Sequence, residues 1–223
     1  MAITAETMTD RFRRPITSKA ELRELFGEPS ERVVRKQLSA LDGHCRNFIT
    51  RSPFLLFATS SSTGTCDVSP KGDAPGFATI LDDKTIVIPD RKGNKRIDSL
   101  LNVVENPHVG LLFLIPGVNE TLRVNGSAVV VRDEEILDSM IVEGQRPQVA
   151  TVVTVEEAFL HCPKSFMRSN LWDVNSYVDR SVLPSLSRMV LDHGRPKDRS
   201  DEEHERLIAE AEIATTEALK CLY

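Results

Sequence analysis

The chain has 223 residues, 40% of them hydrophobic, and a formal net charge of −5 at pH 7. That length suits one domain with added elements or two small ones, and the apolar share is enough to bury a core, which excludes global disorder. The acidic balance argues against a general nucleic-acid binder and against a surface drawn to anionic membrane, although a local basic cluster can still hold one small anion.

From the N-terminus, MAITAETMTDRFRRP has no apolar signal-peptide core, and no window is long and apolar enough to span a bilayer. Cys45, Cys66, Cys162 and Cys221 are widely spaced with no C-x-x-C pair, so the expectation is a cytoplasmic protein with reduced thiols. The first ~50 residues read as helical. Thr17-Ser18 followed by Glu21 resembles a capping box, with Leu22, Leu25 and Phe26 as a short apolar stripe. Pro29-Ser30 starts a second helix with Val33 and Val34 inward, and Asp42 to Ile49 makes a third that ends near Arg51-Ser52-Pro53.

The texture then becomes β. Phe54 to Thr59 is a compact apolar run ended by Ser60-Ser61-Ser62-Thr63-Gly64, which reads as a buried strand and a hairpin, with Cys66 to Ser69 returning. Pro70 to Gly76 reads as a loop, and Phe77 to Leu81 and Thr85 to Ile88 flank Asp82-Asp83-Lys84 as a second hairpin. Ile97, Leu100, Leu101 and Val104 recur at i, i+3, i+4, i+7, one face of a helix closed by Asn106-Pro107. Val109 to Ile115 and Thr121 to Val131 are strands, the second with Leu122, Val124, Gly126, Ala128 and Val130 on one face. Asp133 caps a short helix through Val142. Val149 to Val155 is another β-rich run, and Phe159-Leu160 belongs to a last strand. Gly194 to Ser200 is a polar linker. Asp201 to Leu219 is a helix on the surface or at a dimer contact, with Leu207, Ile208, Ala211 and Ala214 as a weak stripe. About six strands with few helices predict a mainly β, α+β fold: a closed barrel with peripheral helices. Residues 1–51 form an N-terminal helical extension, 52–175 the core and 176–223 a C-terminal helical extension of one domain.

One segment points to chemistry. Asp90-Arg91-Lys92-Gly93-Asn94-Lys95-Arg96 puts four basic residues just before the clearest helix. Cations at a helix start are unfavourable unless an anion neutralises them, and a phosphate there can also take the unpaired N–H groups of the first turn. Arg96 can add a bidentate contact, Lys95 a point charge, and Asn94 a cap or a donor. The alternative is a solvated basic turn. His44-Cys45 and His161-Cys162 do not supply four converging ligands, so packing is expected there and no metal. Neither a G-x-S-x-G nor a G-x-G-x-x-G signature is present.

Several segments in order carry a resemblance: Ser52 to Thr59, Val68-Ser69-Pro70-Lys71-Gly72-Asp73, Asp90 to Arg96, Glu105 to Phe113, Thr121 to Gly126, and Cys162-Pro163-Lys164 through Trp172. Over roughly residues 42 to 175 the chain resembles the pyridoxamine 5′-phosphate oxidase-like, FMN-binding split-barrel superfamily. The resemblance implies a split β-barrel and a homodimer with FMN at the subunit interface. It places Asp67, Val68, Ser69, Pro70 and Lys71 along the flavin ring and Pro89 and Asp90 near the ribityl chain, with Arg91 also among the cofactor-binding residues. Asn94, Lys95 and Arg96 fall at the phosphate, and Glu120, Thr121 and Arg123 would come from the partner. Lys164, Arg168, Ser169 and Trp172 fall where a late segment closes the pocket. Without the resemblance, Lys71 reads as a loop lysine, Arg123 as solvent-facing, Trp172 as core or interface, and Lys164 and Arg168 as a solvated helix face.

The implied function is an FMN-dependent oxidoreductase taking a small-molecule substrate or electron donor, with no catalytic acid or base evident. The family's oxidases carry a C-terminal segment with Trp and Arg/His-rich motifs, whereas this chain ends in an Ala/Glu-rich helix, so its substrate is left open. The alternatives are a non-catalytic flavin-binding or flavin-sensing protein and a haem-binding or haem-degrading relative using His161 or His44.

Overall fold

The structure is a computed structural model and describes residues 12–220; the opening MAITAETMTDR segment and Cys221 lie outside that range. Contacts divide the chain into two units, Met1–Gln37 and Leu38–Tyr223.

In the first unit, α1 (Lys19–Phe26) starts on Ser18, whose hydroxyl accepts from the Glu21 N–H, and stops at Gly27, whose φ of 70° suits a residue without Cβ. A five-residue α2 (Glu31–Arg35) follows. The expected burial does not occur: Leu22, Leu25, Phe26, Val33 and Val34 are all exposed. Helices of eight and five residues, roughly two turns and one turn, carry too short a stripe to bury by themselves.

The second unit is mainly β. Its elements are α3 (Gly43–Ile49), β1 (Phe54–Ser60), β2 (Cys66–Gly72), β3 (Thr79–Ile80), β4 (Thr85–Pro89), α4 (Asp98–Glu105), β5 (His108–Leu114), β6 (Thr121–Val131), α5 (Glu134–Ser139), β7 (Ala150–His161), α6 (Lys164–Ser169), α7 (Leu186–His193) and α8 (Asp201–Ala218). The strands form one sheet in the order β2-β1-β5-β6-β7-β4-β3, and all its neighbours run antiparallel. The sheet does not close by hydrogen bonding, so the expected closed barrel becomes a split-barrel-like α+β fold with β2 and β3 as edges.

Period-two alternation builds the core. Leu55 and Phe57 of β1, Leu111 and Phe113 of β5, and Leu122 and Val124 of β6 face inward together. In β4 both faces are covered: Ile86 and Ile88 join this core, while Val87 packs with Leu137, Met140 and Ala150 under α5. Several expectations shift. β2 runs through Pro70 to Gly72, where a loop was expected; an edge strand tolerates a proline that donates no ladder bond. The two β runs after Val149 are one strand, β7, paired to β6 along its length with a bulge at Asn125/Gly126. α5 ends at Ser139, short of Val142, and Asp133 makes no side-chain cap bond. The helix α7 was not foreseen; it packs on α8 through Ser187–Thr215, Arg188–Glu205 and Asp192–His204 contacts.

α3 ties the N-terminal side of this unit to the sheet: Leu41, Cys45 and Ile49 are buried in the main core. The Asp42 carboxylate caps the helix by accepting from the Cys45 N–H at 2.8 Å, and that bond holds its pKa below the usual value. Burial, first, and the neighbouring Asp42 push the Cys45 thiol up to about 11. The signs fix the pH response. A depressed carboxylate stabilises the fold above its unfolded pKa and loses that contribution as pH falls. A raised thiol is neutral in the fold, so stability drops as pH climbs from about 9 toward 11 and the unfolded chain gains thiolate. We expect exposed Cys66 and Cys162 to react with iodoacetamide at pH 8 in the native protein and Cys45 only after denaturation; native labelling of Cys45 would contradict this burial.

Candidate functional site

The site is built on the edge strand β2. Successive side chains alternate, so Asp67, Ser69 and Lys71 are half-buried on one side while Val68 and Pro70 are exposed on the other. Each inward residue meets a polar partner. Asn102 Nδ2 donates to Asp67 Oδ2 at 2.8 Å, Ser69 and Ser99 hydroxyls meet at 2.7 Å, and Lys71 Nζ donates to Asp90 Oδ1 at 2.7 Å. One step further, Arg91 Nε donates to Asp73 Oδ2 at 2.6 Å and its Nη1 to the Met140 carbonyl at 2.7 Å. β2 is one edge of the sheet and β4 lies beside the other edge strand. The Lys71–Asp90 and Asp73–Arg91 pairs therefore join the two ends of the open sheet, and the split is a polar seam. A cavity of about 180 Å³ opens beside it, lined by Asp73, Phe77, Arg91, Met140 and Val142 among others.

Helix α4 completes the seam, and it is turned opposite to expectation. Most of the apolar stripe points outward: Ile97, Leu101 and Val104 are 49%, 54% and 77% exposed, while Leu100 is half-buried. The inward face is Ser99, Asn102, Val103 and Asn106, also spaced i, i+3, i+4, i+7. Asn102 donates to Thr59 as well as Asp67, and Asn106 donates to Ser60 at 2.8 Å. The strand surface beneath the helix is polar, and burying its groups against an apolar stripe would leave them unpaired at a cost of about 1–3 kcal/mol each. The polar face therefore wins.

The basic residues precede this helix rather than forming its first turn. Lys95 and Ile97 have φ of 63° and 52°, left-handed values that cost roughly 1–2 kcal/mol each for a residue with a Cβ, and Ile97 is β-branched as well. Asn94 Oδ1 accepts from the Arg96 N–H at 3.0 Å, so Asn94 shapes the loop and does not cap the helix. α4 begins on Ile97 with no side-chain cap; the Leu100 N–H donates to the Ile97 carbonyl at 2.9 Å, and the Asp98 and Ser99 N–H groups are the first-turn donors an anion could take. Lys95 is exposed, and so is Arg96, which among the described residues pairs with Asp98 at 2.9 Å. Pro89 is buried at the end of β4, and the Asp90 N–H donates to the Val149 carbonyl at 3.1 Å.

The remaining candidates gather elsewhere in this chain. Glu120 is exposed, and Thr121 is buried at the start of β6. Arg123 pairs with Glu157 at 3.3 Å and lies over the Phe159 ring, 4.3 Å from its centroid, while its Nε is buried with no hydrogen-bond partner. Lys164, Arg168 and Ser169 are exposed on α6. Trp172 stacks on Phe166 and donates to the Val118 carbonyl at 2.9 Å, fastening the β5–β6 turn to the segment after α6. Ser99, Asn102 and Asp73 were not singled out from the sequence; the second helical periodicity of α4 was the available signal for the first two. Among the described residues no cluster of three or more His, Cys, Asp or Glu could hold a metal ion, and no helix is long and apolar enough to cross a membrane.

Residues 41–162, more than half of the chain, match the sequence profile described as pyridoxamine 5′-phosphate oxidase. No curated protein matches the sequence. Similar solved structures include HupZ of Group A Streptococcus, with 16% identity and a TM-score of 0.45 over 54% of this chain and 93% of that one. The FAD binding protein from Mycobacterium smegmatis shows 16% identity and a TM-score of 0.38 over 56% and 97%. HutZ, described as the heme storage protein from Vibrio cholerae, shows 14% identity and a TM-score of 0.37 over 54% and 93%.

Proposed function

Because the chain belongs to the pyridoxamine 5′-phosphate oxidase family, we propose that it is an FMN-binding flavoprotein and an FMN-dependent oxidoreductase acting on a small molecule. The observation that supports this most is the uncapped start of α4 beside exposed Lys95 and Arg96. The uncapped helix start, the Lys95 ammonium and the Arg96 guanidinium, which would exchange its exposed pairing with Asp98 for the ligand, make up the donor set that a phosphate monoester needs. β2 suits the ring: an edge strand keeps a row of main-chain N–H and C=O groups that can bond the rim of a flat heterocycle.

Bound flavin would supply the capacity to accept a hydride and hand electrons on. The chain's own residues bind and orient. The Lys95 and Arg96 charges hold the phosphate, Ser69 and Ser99 fix the spacing between strand and helix, and Lys71 places a positive charge beside β2. No side chain of the seam is assigned as general acid or base.

A homodimer is part of the same proposal, with Glu120 and Arg123 reaching the flavin from the partner and the buried Thr121 anchoring the start of β6 between them. The outward apolar stripe of α4 and the exposed Val68 favour a covering surface, and the buried Arg123 Nε lacks an acceptor within one chain. Sedimentation should give a species near twice 24.9 kDa, and dissociation should release flavin; a monomer that keeps its flavin would overturn the shared site. Cofactor identity is tested by purifying the protein, releasing bound small molecules by heat and weighing them. FMN is expected. A haem or a deazaflavin would replace this reading.

A further inference from the structure

We propose that Asp90 is a positioning residue that sets the electron affinity of the bound flavin by holding and offsetting the Lys71 ammonium; this rests on the flavin reading above. Three observations carry it. Lys71 lies on the inward side of β2, in line with Ser69 and Asp67. Its Nζ donates to Asp90 Oδ1 at 2.7 Å, and both side chains are mostly withdrawn from solvent, at 20% and 25% exposure. Asp90 is itself fixed by its N–H bond to the Val149 carbonyl, at the end of a strand whose last four residues are buried.

A lysine side chain has four rotatable carbons and swings widely unless tethered. Asp90 provides the tether across the sheet's split, so the ammonium sits at one place beside β2. It also cancels most of the field that the ammonium would send to a ring on that strand. Reduction of a flavin adds negative charge to the ring, so an uncompensated cation nearby favours the reduced form and an uncompensated anion disfavours it. The next pair along the seam, Asp73–Arg91, repeats the arrangement with the signs exchanged between the strands. Each of these two pairs is thus electrically balanced, and removing the Asp90 carboxylate unbalances the first.

The test uses the FMN-loaded full chain and reads the reduction potential of the bound flavin together with FMN affinity in both redox states. Asp90→Asn keeps the size and removes the charge. It should strengthen binding of reduced over oxidised FMN by about tenfold, a positive shift of about 30 mV for a two-electron couple. Asp90→Glu, which restores the charge, should return the potential toward the wild-type value. Lys71→Gln should move it in the opposite direction, and this variant decides the question if Asp90→Asn does not fold. A wild-type potential in Asp90→Asn or in Lys71→Gln, with FMN still bound, overturns the role of the pair while the flavin reading stands. Failure of the wild-type chain to bind FMN overturns both.

Discussion

Replacing Lys95 and Arg96 together by alanine is expected to weaken FMN binding by about two to four orders of magnitude, because charge-assisted bonds to a phosphate are worth roughly 1.5–3 kcal/mol each. The fold should tolerate the change. Both residues are exposed, and Arg96's ion pair with Asp98 is a surface contact worth at most about 1 kcal/mol. Lys95 already sits in a left-handed conformation that alanine suits no better, so the loop gains no alternative reason to rearrange. Lys92→Ala is the control. It removes an exposed positive charge from the same segment, so it separates general attraction from direct contact. Titration by flavin fluorescence measures the affinity, and thermal melting of the apoprotein measures the fold. Unchanged affinity in the double variant, or an equal loss in Lys92→Ala, would remove the phosphate from this loop.

The second large effect concerns the fold itself. Gly126 lies at the β6 bulge, where a Cβ would stand 1.9 Å from the Thr154 carbonyl oxygen and 3.0 Å from its carbon. Both obstacles are backbone of the neighbouring strand, so no side chain can move aside. Gly126→Ala must push β6 from β7 at the middle of the sheet or abolish the bulge, and either change disturbs the buried Val124 and Val155 beside it. A loss of about 3 kcal/mol or more is expected, at the upper end of overpacking effects. Urea denaturation measures it. A near-neutral Gly126→Ala would mean that the two strands are not in this register. The same substitution at Gly64, whose Cβ would meet nothing within 4 Å, should cost only the strain of a φ of 87° in the β1–β2 turn.

Much of this protein follows from local pattern. The alternation in β1, β5 and β6 names the core residues because a strand with one wet face permits only one register. The β5–β6 turn is legible in Pro116-Gly117, since a proline followed by a residue at φ 83° is a type II turn. The basic run before α4 is legible as a local concentration of positive charge beside a helix start, which is what motivates the proposed phosphate site.

What local pattern did not decide is which surfaces meet. α4 carries two faces with the same periodicity, and its own residues favour burying Ile97, Leu101 and Val104. The polar inward side of β2, close to it only after folding, selects Ser99 and Asn102 instead. Likewise Lys71 and Asp73 read as loop charges until the open sheet brings its two ends together and gives them Asp90 and Arg91. Periodicity and turn chemistry are properties of neighbours along the chain, so the sequence by itself determined β1, β5 and β6, the core residues they carry and the basic loop. Pairing a buried polar group depends on partners 18 to 35 positions away, as in Asp73–Arg91 and Asp67–Asn102, and only the tertiary structure sets those.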